Sequence, residues 1–191
     1  MTMNKFSTLT LASLLLAATL AGCKKDDEDP VPTPSAPTPT PTLYQRLGGT
    51  TMVNDPANPG QMIEQGYLGL RSVVDSTIFV IAGDAQLQPY FAVLLAEVGS
   101  GDLTGFAALS ESLTEFFAVA TGAQNFTYDG LNMVDAHNST NPRMTGLVDD
   151  AAFDRFIVDL VEGAAQNDVP AAIVTDIGAL VETLRDPIVQ Q

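Results

Sequence analysis

The 191-residue chain has no tryptophan, one cysteine and one histidine, and it sets eight basic residues against 23 acidic ones. Each scarcity excludes something. A single cysteine can form no internal disulfide and no Cys-rich zinc or iron–sulfur site. A single histidine rules out a two-His metal site, and any Ser–His or Cys–His nucleophile pair would have to use that one imidazole. A formal net charge of −15 leaves no electrostatic footprint for DNA or RNA, so no nucleic-acid partner is expected. No Gly-x-Ser-x-Gly elbow and no phosphate-binding loop is present, so a hydrolase reading has no support. Lysine is missing after Lys25. From Leu43 onward Arg46, Arg71, Arg143, Arg155 and Arg185 face 19 acids, leaving about −14. An anionic ligand there must be held by arginine, hydroxyls or backbone N–H groups.

What is present begins with a leader. Residues 1–22 read as a signal peptide: Lys5 supplies the positive end, and the apolar run over 9–20 is too short to span a bilayer comfortably. Leu20-Ala21-Gly22-Cys23 resembles a bacterial lipobox, in which the signal is cut before the cysteine and the thiol takes a lipid. Cys23 is therefore the expected lipidation site, and the lipid bilayer an expected partner. The expected location is the bacterial cell envelope. The charge run Lys24-Lys25-Asp26-Asp27-Glu28-Asp29 is similar to signals that send lipoproteins to the outer surface, so the anchored protein would be periplasmic or surface-exposed. Residues 23–42 form a tether. Its PVPTPSAPTPTPT stretch favours extended polyproline II at about 3.1 Å per residue, a stalk of roughly 40 Å.

Residues 43–191 are long enough for one sizeable core. Leu70, Val73, Val74, Ile78 and Ile81 fall on one helical stripe, as do Phe106, Leu109, Leu113, Phe116 and Phe117. Phe153, Phe156, Ile157, Leu160 and Val161 repeat the spacing. Ile173, Ile177, Leu180, Val181 and Leu184 do so again after Pro170, which suits a helix start. The β-branched segment 78–82 continues the 3.6-residue period and is read as helix. Breaks fall at Gly48-Gly49, 54–60, 99–101, 122–130 and 138–142. The expected domain is all-α.

The one histidine closes Tyr128-Asp129-Gly130-Leu131-Asn132-Met133-Val134-Asp135-Ala136-His137. Met133 and His137 stand four apart, so on a helix they share a face. An imidazole beside a soft thioether suits iron in a porphyrin, and it equally suits an ordinary hydrogen-bonded histidine. The surrounding pattern adds to this. Leu43-Tyr44-Gln45-Arg46-Leu47-Gly48-Gly49 resembles the opening signature of truncated hemoglobins, group 1 in particular, and Tyr128-x-Gly130-x-x-Met133-x-x-Ala136-His137 is similar to that family's proximal-histidine motif. Val73-Val74-Asp75, Leu87-x-Pro89-Tyr90-Phe91, Glu115-Phe116-Phe117, Phe153-Asp154, Val169-Pro170 and Arg185-Asp186-x-Ile188-Val189 follow in the family's order.

The resemblance implies a two-over-two globin fold holding heme b. It makes His137 the iron ligand, with Phe91 and Met133 packed on the macrocycle. No Cys-x-x-Cys-His is present, so the heme would not be covalently attached. Of the arginines, Arg143 is the first candidate to hold a propionate and Arg71 the second. The sequence also departs from the family: about fifteen residues are inserted near 50–65, and Asn138-Ser139-Thr140-Asn141-Pro142 lengthens the loop after His137. Ile78, Leu109 and Leu113 stand where distal polar residues are usual. Such a pocket offers bound oxygen no donor, so efficient NO dioxygenation is not expected and an enzymatic role stays open. Met52 or Met62 of the insertion is an alternative distal group. The leading expectation is a lipid-anchored globin that binds O2, NO or CO, its redox partner unidentified. The alternative is a heme-free, globin-like interaction module displayed on the envelope.

Overall fold

A computed structural model describes residues 39–190, so the expected leader, Cys23 and most of the tether lie outside the described residues. Helices form where the stripes predict them. The short α1 (Leu43–Arg46) starts from a capping box: Thr42 Oγ1 accepts the Gln45 N–H, and Gln45 Oε1 accepts the Thr42 N–H. Then come α2 (Gln65–Gly83), a 3₁₀ turn (Gln88–Phe91), α3 (Ala92–Gly99) and α4 (Thr104–Ala120). A single helical turn, α5 (Met133–His137), is followed by α6 (Asp150–Ala165), α7 (Ala171–Glu182) and α8 (Arg185–Ile188). Residues 78–82 belong to α2 despite their β-branched side chains, because Ile78 and Ile81 stay on the buried stripe. Pro170 precedes α7, its carbonyl accepting the Ile173 and Val174 N–H groups.

One element departs from the all-helical expectation. The inserted segment folds into a small antiparallel hairpin, β1 (Met52–Asn54) and β2 (Met62–Glu64), pairing Met52 with Glu64 and Asn54 with Met62. Asp55 makes its turn, accepting the Ala57 N–H at 2.8 Å and the Asn58 amide at 2.8 Å. Glu64 ties the base down by accepting from Tyr44 Oη and Asn125 Nδ2 at 2.7 and 2.6 Å. Met52 and Met62 stay about half exposed (51% and 52%). The hairpin uses its methionines on the surface.

The core lies around α2, which packs against α4 on one side and α6 on another, with α7 on α6. The α2–α6 crossing is close: a Cβ at Gly163 would stand 2.7 Å from the Thr77 backbone nitrogen. Only glycine fits there. Thr77 turns its own hydroxyl back to the Val73 carbonyl at 2.8 Å, so no polar group is left facing Gly163 unpaired.

A charged group is buried beside this crossing. Asp159 of α6 is fully buried and pairs with Arg155 at 2.9 Å, and Arg155 also binds Asp84 at the end of α2. Neither Asp159 oxygen accepts a well-directed hydrogen bond. Desolvation therefore raises the Asp159 carboxyl above its ordinary value, with Arg155 only partly offsetting it.

A second arginine gathers the C-terminal end. Arg185 binds Glu182, Asp150 and Asp154 at 2.6, 2.8 and 2.5 Å and lies over the Phe153 ring. It thereby joins α6, α7 and α8. The last of these packs on α5, and Gln190 donates to the Val134 carbonyl at 3.3 Å.

Candidate functional site

A cavity of about 300 Å³, mostly apolar, opens between these helices, a size ordinary for a small-molecule site. His137, Met133, Phe91, Ile78, Leu109, Leu113 and Arg143, drawn from four elements and a loop of the sequence, all line it. Ile78 comes from the buried face of α2 and Leu109 and Leu113 from the facing stripe of α4, whereas Phe91 ends the 3₁₀ turn. Arg71 does not line the cavity; it faces Asp75 one turn along α2, at 4.0 Å. Met52 and Met62 do not line it either, because the hairpin holds them on the surface.

The single turn carrying His137 is assembled from local bonds. Asn132 caps it, accepting the Asp135 N–H at 2.9 Å and donating its amide to the Asp135 carboxylate at 2.6 Å. Asn141 closes the other end by donating to the Ala136 carbonyl at 2.6 Å. Within the turn His137 Nδ1 lies 2.8 Å from the Met133 carbonyl oxygen. A carbonyl only accepts, so Nδ1 carries the proton and Nε2 keeps its lone pair. Burial pushes the imidazole below its ordinary pKa, which the Met133 bond opposes only in part. The result is a neutral imidazole with Nε2 unpaired among the described residues, on a side chain that faces the cavity.

Arg143 is the one basic side chain among the lining residues apart from His137. Its guanidinium is bound twice by Glu97 of α3, Nη1 to Oε1 at 2.9 Å and Nη2 to Oε2 at 2.6 Å. The pair lies across the first turn of α4, where a side chain on Gly105 would collide with both partners. Asn141 Oδ1 accepts the Arg143 backbone N–H at 3.0 Å, linking this rim to the turn that carries His137. Four hydroxyls line the cavity: Thr77 donates to Val73 and Tyr128 to the Leu131 carbonyl at 2.6 Å, whereas those of Tyr90 and Ser112 have no hydrogen-bond partner among the described residues. The wall formed by Ile78, Leu109 and Leu113 contributes no donor.

Glu97, Asn141, Tyr90 and Met144 also belong to the site, although the sequence did not single them out: Asn141, Tyr90 and Met144 line the cavity, and Glu97 holds Arg143. Glu97 did leave a signal, being the only charged residue on α3. Asn141 stands in the lengthened loop after His137. Among the described residues no three His, Cys, Asp or Glu side chains converge on a metal position. An iron at His137 would therefore need its other donors from a macrocycle.

The arrangement of helices has known counterparts. Three crystal structures of truncated hemoglobin from Tetrahymena pyriformis, single-substitution variants in the Fe(III) form, match with TM-scores of 0.55 to 0.56. Each is 20% identical in sequence, and the match covers 79% of this chain and all of theirs. The fold is a truncated-globin fold. No protein-family profile and no curated protein matches the chain in sequence.

Proposed function

We propose that the cavity binds heme b through His137 Nε2 and that the loaded protein takes up a diatomic gas. The observation that carries this reading is the imidazole: held neutral by burial, fixed in one tautomer by the Met133 carbonyl, and turned into an apolar cavity with Nε2 free. Those are the properties a single protein ligand to a porphyrin needs. The truncated-hemoglobin likeness supports the reading as well. Bound there, heme supplies an iron with a coordination position for O2, NO or CO.

The protein's part is to bind, orient and keep water out. Met133 and Phe91 offer soft, flat packing surface. Arg143, at the rim and partly exposed, is placed to meet a ligand carboxylate. Ile78, Leu109 and Leu113 exclude water yet donate nothing. Were heme held here, these three side chains would offer a bound gas ligand no hydrogen bond, so the wall would retain O2 weakly. CO and NO depend less on such donors and are bound comparatively well.

The test is reconstitution of the full chain with hemin. A Soret band appears with the wild type and is abolished by His137→Ala. No band with the wild type would instead favour the heme-free interaction module.

A further inference from the structure

All five arginines after residue 42 are already ion-paired, to Asp176, Asp75, Glu97, Asp84 with Asp159, and the Glu182 cluster. Only Arg143 is both paired and on the cavity wall. Its two terminal nitrogens are each taken by one Glu97 oxygen, so a ligand carboxylate meets an occupied fork. The pair is reachable from water: the side chains are 48% and 27% exposed. Exposed ion pairs contribute little net stability, so one carboxylate can replace another there at small cost. Gly105 leaves the space in which that replacement happens, because any side chain at this position would fill the seat of the pair.

We propose that Glu97 is a built-in competitor for the anionic end of the cavity ligand. Its carboxylate holds the place on Arg143 that a ligand carboxylate takes, so binding includes a carboxylate exchange on one guanidinium. Glu97 thereby sets how strongly the site prefers a carboxylate-bearing macrocycle to a neutral one. The inference rests on the heme reading and adds to it the residue that tunes selectivity.

The experiment compares hemin with hemin dimethyl ester, whose carboxylates are masked, on the full chain. Glu97→Gln frees Arg143 and slows hemin loss by roughly two- to fivefold, with no change for the ester. Glu97→Asp, which keeps the charge but shortens its reach, shifts hemin loss in the same direction by less. Arg143→Gln speeds hemin loss to the rate of the ester. Thermal unfolding of each apo variant confirms that it folds. Faster hemin loss from Glu97→Gln, as from Arg143→Gln, would mean that the pair is only a fastening between α3 and the loop, and would overturn the proposal while leaving the heme reading intact. A wild type that holds the ester as tightly as hemin would also overturn it. No His137-dependent Soret band with either macrocycle would overturn both readings together.

Discussion

Two parts of the cavity wall are held in place by different forces. Ile78, Leu109 and Leu113 stand on α2 and α4, helices of 19 and 17 residues packed on each other, with α2 also packed against α6. His137 stands on a turn of five residues in which no residue is fully buried. That turn is fixed by the Asn132 cap, the Asn141 bond to Ala136, and α8 packed behind it. A wall made of core packing opens only when the domain opens. A wall made of local hydrogen bonds can loosen by itself. The side lined by Ile78, Leu109 and Leu113 should therefore be rigid, and the side carrying His137 the one through which a bulky ligand enters and leaves.

The largest effect is expected beneath the packed wall. Gly163→Ala would force α2 and α6 apart at Thr77, and overpacking of this kind costs about 1–3 kcal/mol. Thermal unfolding of the apo full chain reads it directly. A wild-type midpoint would show that the crossing does not hold Ile78 in place.

Next in size is a change that keeps the packing and alters only the chemistry of that wall. Leu109→Gln is close in volume and adds one amide donor facing the cavity. One net hydrogen bond of about 1 kcal/mol slows O2 dissociation by about threefold to tenfold, while CO dissociation hardly moves. Flash photolysis of the ferrous protein separates the two gases. Equal slowing of both would mean that the glutamine acts by blocking the exit rather than by donating.

The locally bonded wall should respond in the opposite pattern. Asn132→Ala removes the cap of α5, a loss of about 1 kcal/mol confined to that turn. Hemin loss should quicken about fivefold with little change in the unfolding midpoint. A fall in the midpoint as large as that of Gly163→Ala would show that both walls belong to one cooperative unit.

How far the sequence anticipates these walls follows from what holds each one. The stripes of α2, α4, α6 and α7 are periodic because burial is periodic on a helix, which put Ile78, Leu109 and Leu113 on inward faces; their place on a cavity wall came from the family resemblance. The hairpin at 52–64 has strands of three residues and draws its order from the Asp55 turn and from Tyr44 and Asn125 contacts to Glu64, bonds between distant parts of the chain. Its methionines could be read as cavity residues only while those bonds were unseen. Glu97 was missed for the same reason, since its partner Arg143 lies 46 positions away. His137 stood out as the only histidine, but its reading as an iron ligand came from the resemblance of 128–137 to the proximal-histidine motif. The tautomer that makes it useful comes from a carbonyl, which no side-chain pattern encodes.

The smallest expected effect is a difference in pH response between the groups buried near the two walls. His137 has its pKa lowered on folding, so the unfolded chain binds more protons just below the ordinary value of 6.5, and stability is lost as pH falls through that range. Asp159, behind the packed wall, has its pKa raised, so the folded chain holds the extra proton. Its contribution is present below the ordinary 3.8 and is lost as pH rises through the folded value. Asp159→Asn removes the second slope and leaves the first. In urea titrations the variant should match the wild type at about pH 4 and exceed it at about pH 8, by little, because Arg155 still attracts the ionised carboxylate. A variant less stable than the wild type at about pH 8 would mean that the Arg155 pair outweighs desolvation, and that the packed wall rests on an ion pair as well as on apolar contact.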